Sequence, residues 1–155
     1  MIKEKFIRKG KFFIKVINAK TNKIKNFEIH NIITATALAE MAKPLNGDSP
    51  DLEIKYVAVG DDDTAVTGNE TTLVNETERK AVATLSIVSN TIVQSEFVLL
   101  KAEAVGTIEE VGIFCGSSAG AAADSGTLLS RILWSYDKSA DEEIHIIRQD
   151  SIERG

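Results

Sequence analysis

From residue 52 to residue 148 the chain offers one apolar, β-branched run after another with no helical pattern between them. Successive strands that lack crossover helices pair antiparallel, and such strings close into a sandwich or a barrel. Residues 52–60, 81–89, 91–100, 107–115, 127–136 and 144–148 read as strands here, with Ser89-Asn90 as the turn between the second and third. Ahead of them, residues 12–17 and 24–29 carry a hairpin signal across the turn-like residues 19–23. Lysines and Asn gather on one face of that hairpin, so this face is expected to be solvated. The total is about eight strands.

One helix interrupts the pattern. Residues 34–43 are rich in Ala, and Ala37, Leu38, Met41, Ala42 and Leu45 recur at helical spacing. Thr34 is placed to cap the start, and Pro44 and Gly47 to end it. The expected fold is therefore mostly β: an antiparallel sandwich or barrel with one short α-helix and an N-terminal basic arm or hairpin. A chain of 155 residues supports one such core. Residues 1–30 are read as the arm and hairpin, part of the same domain or an extension of it, and residues 31–155 as the β-rich body.

Charge is distributed unevenly. The net value is −5, yet the first thirty residues hold nine basic side chains, Lys3, Lys5, Arg8, Lys9, Lys11, Lys15, Lys20, Lys23 and Lys25, against Glu4 and Glu28. The remainder then carries an excess of about twelve acidic groups. A basic segment on an acidic body binds nucleic acid or docks on the acidic face of a sister copy. No nucleic-acid motif or phosphate-cradling glycine loop accompanies it, so protein contact is the expectation. No run approaches the roughly 20 apolar residues that span a bilayer. The start lacks an apolar core followed by a cleavage site, so synthesis in a cytoplasm without a signal peptide is expected.

The candidate chemical groups fall one by one. Asp61-Asp62-Asp63 invites a calcium reading, but the three carboxylates are consecutive and Gly68 is not at the sixth position an EF-hand requires, so a solvated loop is expected. A weak cation site shared with a neighbour is the alternative there. His30 and His145 lack metal-ligand spacing. Ser130 has no G-x-S-x-G around it. Glu109 and Glu110 are adjacent on a strand and point to opposite faces, so they cannot share a substrate. Asn69-Glu-Thr71 and Asn75-Glu-Thr77 match the glycosylation sequon by chance. Cys115, the single cysteine, lies in an apolar run and reads as buried and inert. Trp134 shares a face with Leu128, Ser130, Ile132 and Tyr136 and reads as core, or alternatively as an intersubunit anchor. Glu76, Glu78, Arg79 and Lys80 read as a charged strand end, with Arg79 able to form a bidentate pair with Glu76. The loop 116–126 is flexible by composition. No catalytic, cofactor-binding or metal residue is expected, and no enzyme.

Four blocks, taken in order, resemble a family of small bacteriophage tail proteins described as tail-fibre or virion structural proteins. Asn31-Ile-Ile-Thr-Ala-Thr-Ala-Leu-Ala39 is similar to its N-x-I-T-x-x-G-L opening, and Ile54-Lys-Tyr-Val-Ala-Val-Gly60 precedes a small-residue loop as in the family. Thr72-Leu-Val-Asn-Glu-Thr-Glu-Arg-Lys-Ala81 resembles T-x-L-x-N-E-x-x-R-K. Gly106-Thr-Ile-Glu-Glu-Val-Gly-Ile-Phe114 with Gly126-Thr-Leu-Leu-Ser-Arg131 resembles T-I-x-E-V-G-L-F … G-T-L-L-A-R. The blocks cover roughly residues 31–136. Gly60 and Gly112 suit tight positions beside the sheet, and Arg79 and Arg131 are natural partners for Glu76 and Glu110. Ala37 stands where the family has glycine, the loop after Gly60 carries three aspartates, and the basic hairpin is longer than in short members.

The resemblance implies a structural subunit of a virion in the tail, baseplate or fibre attachment, contacting copies of itself and other virion proteins as a homo-oligomer, without nucleic acid or membrane. A head decoration protein and a host-surface glycan-binding module are the alternatives.

Overall fold

The computed structural model describes residues 6–154, which form one curled, nine-stranded antiparallel sheet, an open half-barrel, with a single short α-helix. The strands are β1 (Phe6–Asn18), β2 (Ile24–Ile33), β3 (Ile54–Gly60), β4 (Glu76–Ala81) and β5 (Thr84–Ser89), followed by β6 (Ile92–Leu99), β7 (Gly106–Cys115), β8 (Thr127–Lys138) and β9 (Glu142–Arg154). Their order across the sheet is β4-β3-β7-β8-β2-β1-β9-β6-β5. The mostly β class agrees with the sequence, with nine strands in place of about eight. The additional one is β4, whose sequence ETERKA reads as the charged end of the strand over 81–89 and not as a strand of its own.

β1 and β2 lie at the centre of the sheet. β1 is paired along its length by β9 on one side and from Gly10 to Ile17 by β2 on the other, so that Gly10 stands between Asn31 and Asp150. The expected arm is thus ordered sheet from residue 6 onward, and residues 1–5 lie outside the described residues. Several of its lysines are matched within the chain, Lys9 with Glu153 at 2.8 Å, Lys11 with Glu28 at 2.8 Å and Lys20 with Asp141 at 3.1 Å. These pairs are exposed, so each is worth little to stability, but they offset the basic excess where it arises.

β2 makes the curl. Its residues up to Asn31 pair with β1, whereas Ile32 and Ile33 pair with Arg131 and Ser130 of β8. The two halves of the sheet therefore face one another across a common core. Phe12, Ile14, Phe97 and Ile146 come from one half, and Val57, Ile113, Leu129 and Ile132 from the other. Burying each such side chain contributes about 1.5–3 kcal/mol. Cys115 is buried in the same core.

The helix α1 (Ala35–Ala42) sits where β2 leaves the sheet. Thr34 caps it by accepting from the Ala37 N–H, and its hydroxyl donates to the Leu128 carbonyl at 2.5 Å. Pro44 does not stop the chain there. It opens a 3-10 turn over Lys43–Asn46 that ends on Gly47 in the left-handed region, φ +81°, a conformation glycine adopts without steric cost. The hairpin turn between β5 and β6 falls on Asn90-Thr91, one residue later than expected, with Ser89 opposite Ile92.

Candidate functional site

The convex face of β3, β7 and β8 carries the most unusual chemistry, a second apolar cluster under two long loops. Ala58, Phe114 and Leu128 are buried there beneath Leu73 of the 61–75 loop, with Ala119 of the 116–126 loop packed against them. β-Strands alternate faces, so this cluster needs a roof on the side away from the core. A bulge between Ile113 and Phe114, opposite Leu128–Ser130, lets Leu128 join the roofed side while Leu129 enters the core. The face expected for Leu128, Ser130, Ile132, Trp134 and Tyr136 is broken at Leu128 for this reason.

Each loop is fastened by a buried arginine. Arg131 Nε donates to Glu110 Oε2 at 2.6 Å, and both side chains are fully buried. Arg131 also donates to the Thr64 carbonyl at 2.7 Å, while Glu110 accepts the N–H groups of Val74 at 3.1 Å and Asn75 at 2.8 Å. Both ends of the 61–75 loop are held by one ion pair. Arg79 forms a fork with Glu76, Nε to Oε1 at 2.5 Å and Nη2 to Oε2 at 2.8 Å. Its Nη1 donates to the carbonyls of Gly120 at 2.8 Å and Ser125 at 3.1 Å, and its guanidinium lies 4.5 Å from the Phe114 ring centre. The 116–126 loop, flexible by composition, is held down by that fork. Charge-assisted, bidentate contacts of this kind fix geometry as well as energy.

Two glycines make room for the fastenings. A Cβ on Gly60 would collide with the Asn75 carbonyl oxygen and the Glu110 carboxylate, and one on Gly112 would lie 2.7 Å from Leu73 Cδ2. A third buried ion pair, the bidentate Arg148–Asp150 at 2.8 and 2.7 Å, lies on the concave side, where Arg148 also donates to Ser130 Oγ and stacks over Phe12 at 4.9 Å. Sequence reasoning missed this pair. The available signal is the alternation Ile144, Ile146, Arg148, Asp150 on one face of β9.

The remaining candidates are dispersed. Asp61 accepts from the Asn75 side chain at 2.5 Å and Asp62 from the Thr64 N–H at 2.8 Å, so two of the three aspartates order their own loop. The Asp62 carboxyl is held below its ordinary range by these hydrogen bonds from Thr64. A register shift between Ile108 and Glu110 breaks the alternation expected for Glu109 and Glu110; Glu109 accepts from the exposed Ser135 at 3.1 Å, while Glu110 is buried against Arg131. His30 lies on β2 near Glu28, and His145 on β9 contacts Glu143 at 2.6 Å. Asn69 and Asn75 both belong to the fastened loop. No group of three or more His, Cys, Asp or Glu suited to a metal ion occurs among the described residues.

Trp134 stacks on Tyr136 with ring centres 5.1 Å apart, and Phe27 meets both edge-on at 5.3 and 5.9 Å. Trp134 is 5% exposed, which makes it core and leaves no surface for an intersubunit anchor. The Tyr136 hydroxyl donates to Glu142. Burial and that carboxylate push the hydroxyl up to about 12. For Glu142 burial pushes upward, but the donors Tyr136 and Ser139 hold the carboxyl below its ordinary range.

Comparison with protein-family models, with curated proteins and with solved structures finds no match for this chain. No helix among the described residues is long and apolar enough to cross a membrane.

Proposed function

We propose that this chain is a structural subunit of a bacteriophage virion, a tail, baseplate or fibre-attachment component that works through contacts with copies of itself and other virion proteins. One observation supports this above the rest. Three of the four blocks that resemble the tail-protein family, though spread along the chain, meet on one face. Gly60 leaves space for Glu110, Glu110 pairs with Arg131, and Glu76 and Arg79 fasten the loop that leads into Gly126. Gly60, Glu76, Arg79, Glu110 and Arg131 of the resemblance thus serve as fastenings within a scaffold. A rigid β body whose loops are tied down presents fixed surfaces, which suits a part that must hold position among neighbours.

Inactivating the gene in a phage-producing strain tests the reading. Particles that lack tails or fibres, restored by a plasmid copy, are expected. Particles of unchanged composition and infectivity overturn it.

A further inference from the structure

The two edges of the half-barrel are guarded very differently. The β4 edge carries four charged residues in six, and its side chains are engaged: Glu78 accepts from the Ala104 N–H at 2.5 Å and Lys80 pairs with Glu103 at 2.5 Å. The β5 edge, TLSIVS, has every residue exposed and no charge. Free strand edges template pairing with another chain unless lysines, prolines or a cover prevent it, and β5 has no lysine or proline. Its one irregularity is a bulge between Ile87 and Ser89.

The side chains on this edge belong to the core side. Leu85 stands opposite Ser95 and Ile87 opposite Val93. Ser95 and Phe97 on that same face of β6 are fully buried, whereas Leu85 is 41% and Ile87 78% exposed. The apolar interior runs out over the edge uncovered. It continues as a groove between β5 and the start of β3, lined by Leu52, Ile54, Leu85, Ile87, Val93 and Ile152. A surface of this kind marks an interaction site.

Charge selects the occupant. Residues 82–95 form an uncharged run in a chain of net charge −5. Two copies that meet on this uncharged edge bring no like charges together. Pairing β5 with the β4 edge of another copy would take β4's charged side chains further from water against an uncharged strand that offers them no opposite charge, which is costly. We infer that two copies pair β5 with β5 in antiparallel fashion, joining their sheets and covering Leu85 and Ile87 of each. Such an isologous contact closes on itself as a two-fold pair and does not propagate into a chain of copies. It goes beyond the virion reading and does not depend on it: a chain missing from particles yet paired through β5 contradicts only the proposed function.

The solution mass of the full chain, by light scattering during size exclusion, tests the pairing. The wild type is expected at twice the 16.8 kDa of one chain. Ile87→Lys, at a site too exposed to disturb folding, is expected to halve that mass and to raise the dissociation constant at least about tenfold, with the melting of the monomer intact. Leu45→Lys removes a leucine 88% exposed on the 3-10 turn and is expected to leave the mass unchanged. A monomeric wild type, an unchanged mass for Ile87→Lys, or equal dissociation by Leu45→Lys each overturns the inference.

Discussion

Arg131 and Glu110 form an ion pair 2.6 Å long in which neither side chain reaches solvent. A buried pair gains little net stability as such, but removing one partner leaves an uncompensated buried charge. Arg131→Met is therefore expected to cost about 3–5 kcal/mol in denaturant unfolding. Arg131→Lys should be nearly as damaging, because an ammonium cannot reach Glu110 and the Thr64 carbonyl as a planar fork does. Pairing Arg131→Met with Glu110→Leu should recover only part of the loss, since the N–H groups of Val74 and Asn75 then lose their acceptor. Hydrogen exchange of those two amides distinguishes this from a simple ion-pair effect.

Gly60 and Gly47 fail for different reasons when given a side chain. A Cβ at Gly60 meets the Asn75 backbone, which cannot swing aside, so Gly60→Ala is expected to cost about 3 kcal/mol, the upper range for overpacking. Gly47 has open space around it and only its left-handed backbone to satisfy, so Gly47→Ala should cost about 1–2 kcal/mol. Equal losses in thermal melts would remove the steric reading of Gly60.

The Tyr136–Glu142 pair sets limits at both ends of the pH scale. Tyr136 titrates at about 12 in the folded chain against 10.0 ordinarily, so its contribution is complete below pH 10 and is lost as pH rises toward 12. Glu142 is depressed below 4.5, so its contribution is present above that value and is lost as pH falls through its folded pKa. Melting temperatures measured across pH should fall at both extremes. Tyr136→Phe should flatten both limbs, because it removes the phenol and the donor to Glu142 together. A variant with an unaltered acid limb contradicts the hydrogen bond as its cause.

Truncation separates arm from strand. Starting the chain at Phe12 deletes residues of β1 that pair with β2 and β9 on its two sides, Gly10 and Lys11 among them. Circular dichroism of that shortened chain is expected to show loss of the cooperative melt. A folded product with native melting would mean that the start of β1 is dispensable to the sheet.

Much of this fold is legible because strand signals are local. The alternation in β1, β6 and β9 places core residues correctly, and the Thr34 cap follows from one residue type before an Ala-rich run. β4 is harder to read: the Glu76–Arg79 pair is legible from sequence, but the charges beside it look like a solvated strand end until the loop that covers them is seen. The 116–126 loop misleads similarly. Its small residues predict freedom, but its fastening is Arg79, 46 residues from Ser125, and composition cannot register so distant a partner. The exposed edge at β5 escapes sequence reading altogether. Leu85 and Ile87 alternate as core residues should, and only the missing tenth strand leaves them uncovered.

The most direct measurement of the virion reading is quantitative mass spectrometry of gradient-purified particles after a high-salt wash. A structural subunit is expected at a fixed copy number relative to the other particle proteins, unchanged between preparations. Absence from the washed particles, or trace amounts that vary from one preparation to the next, contradicts it.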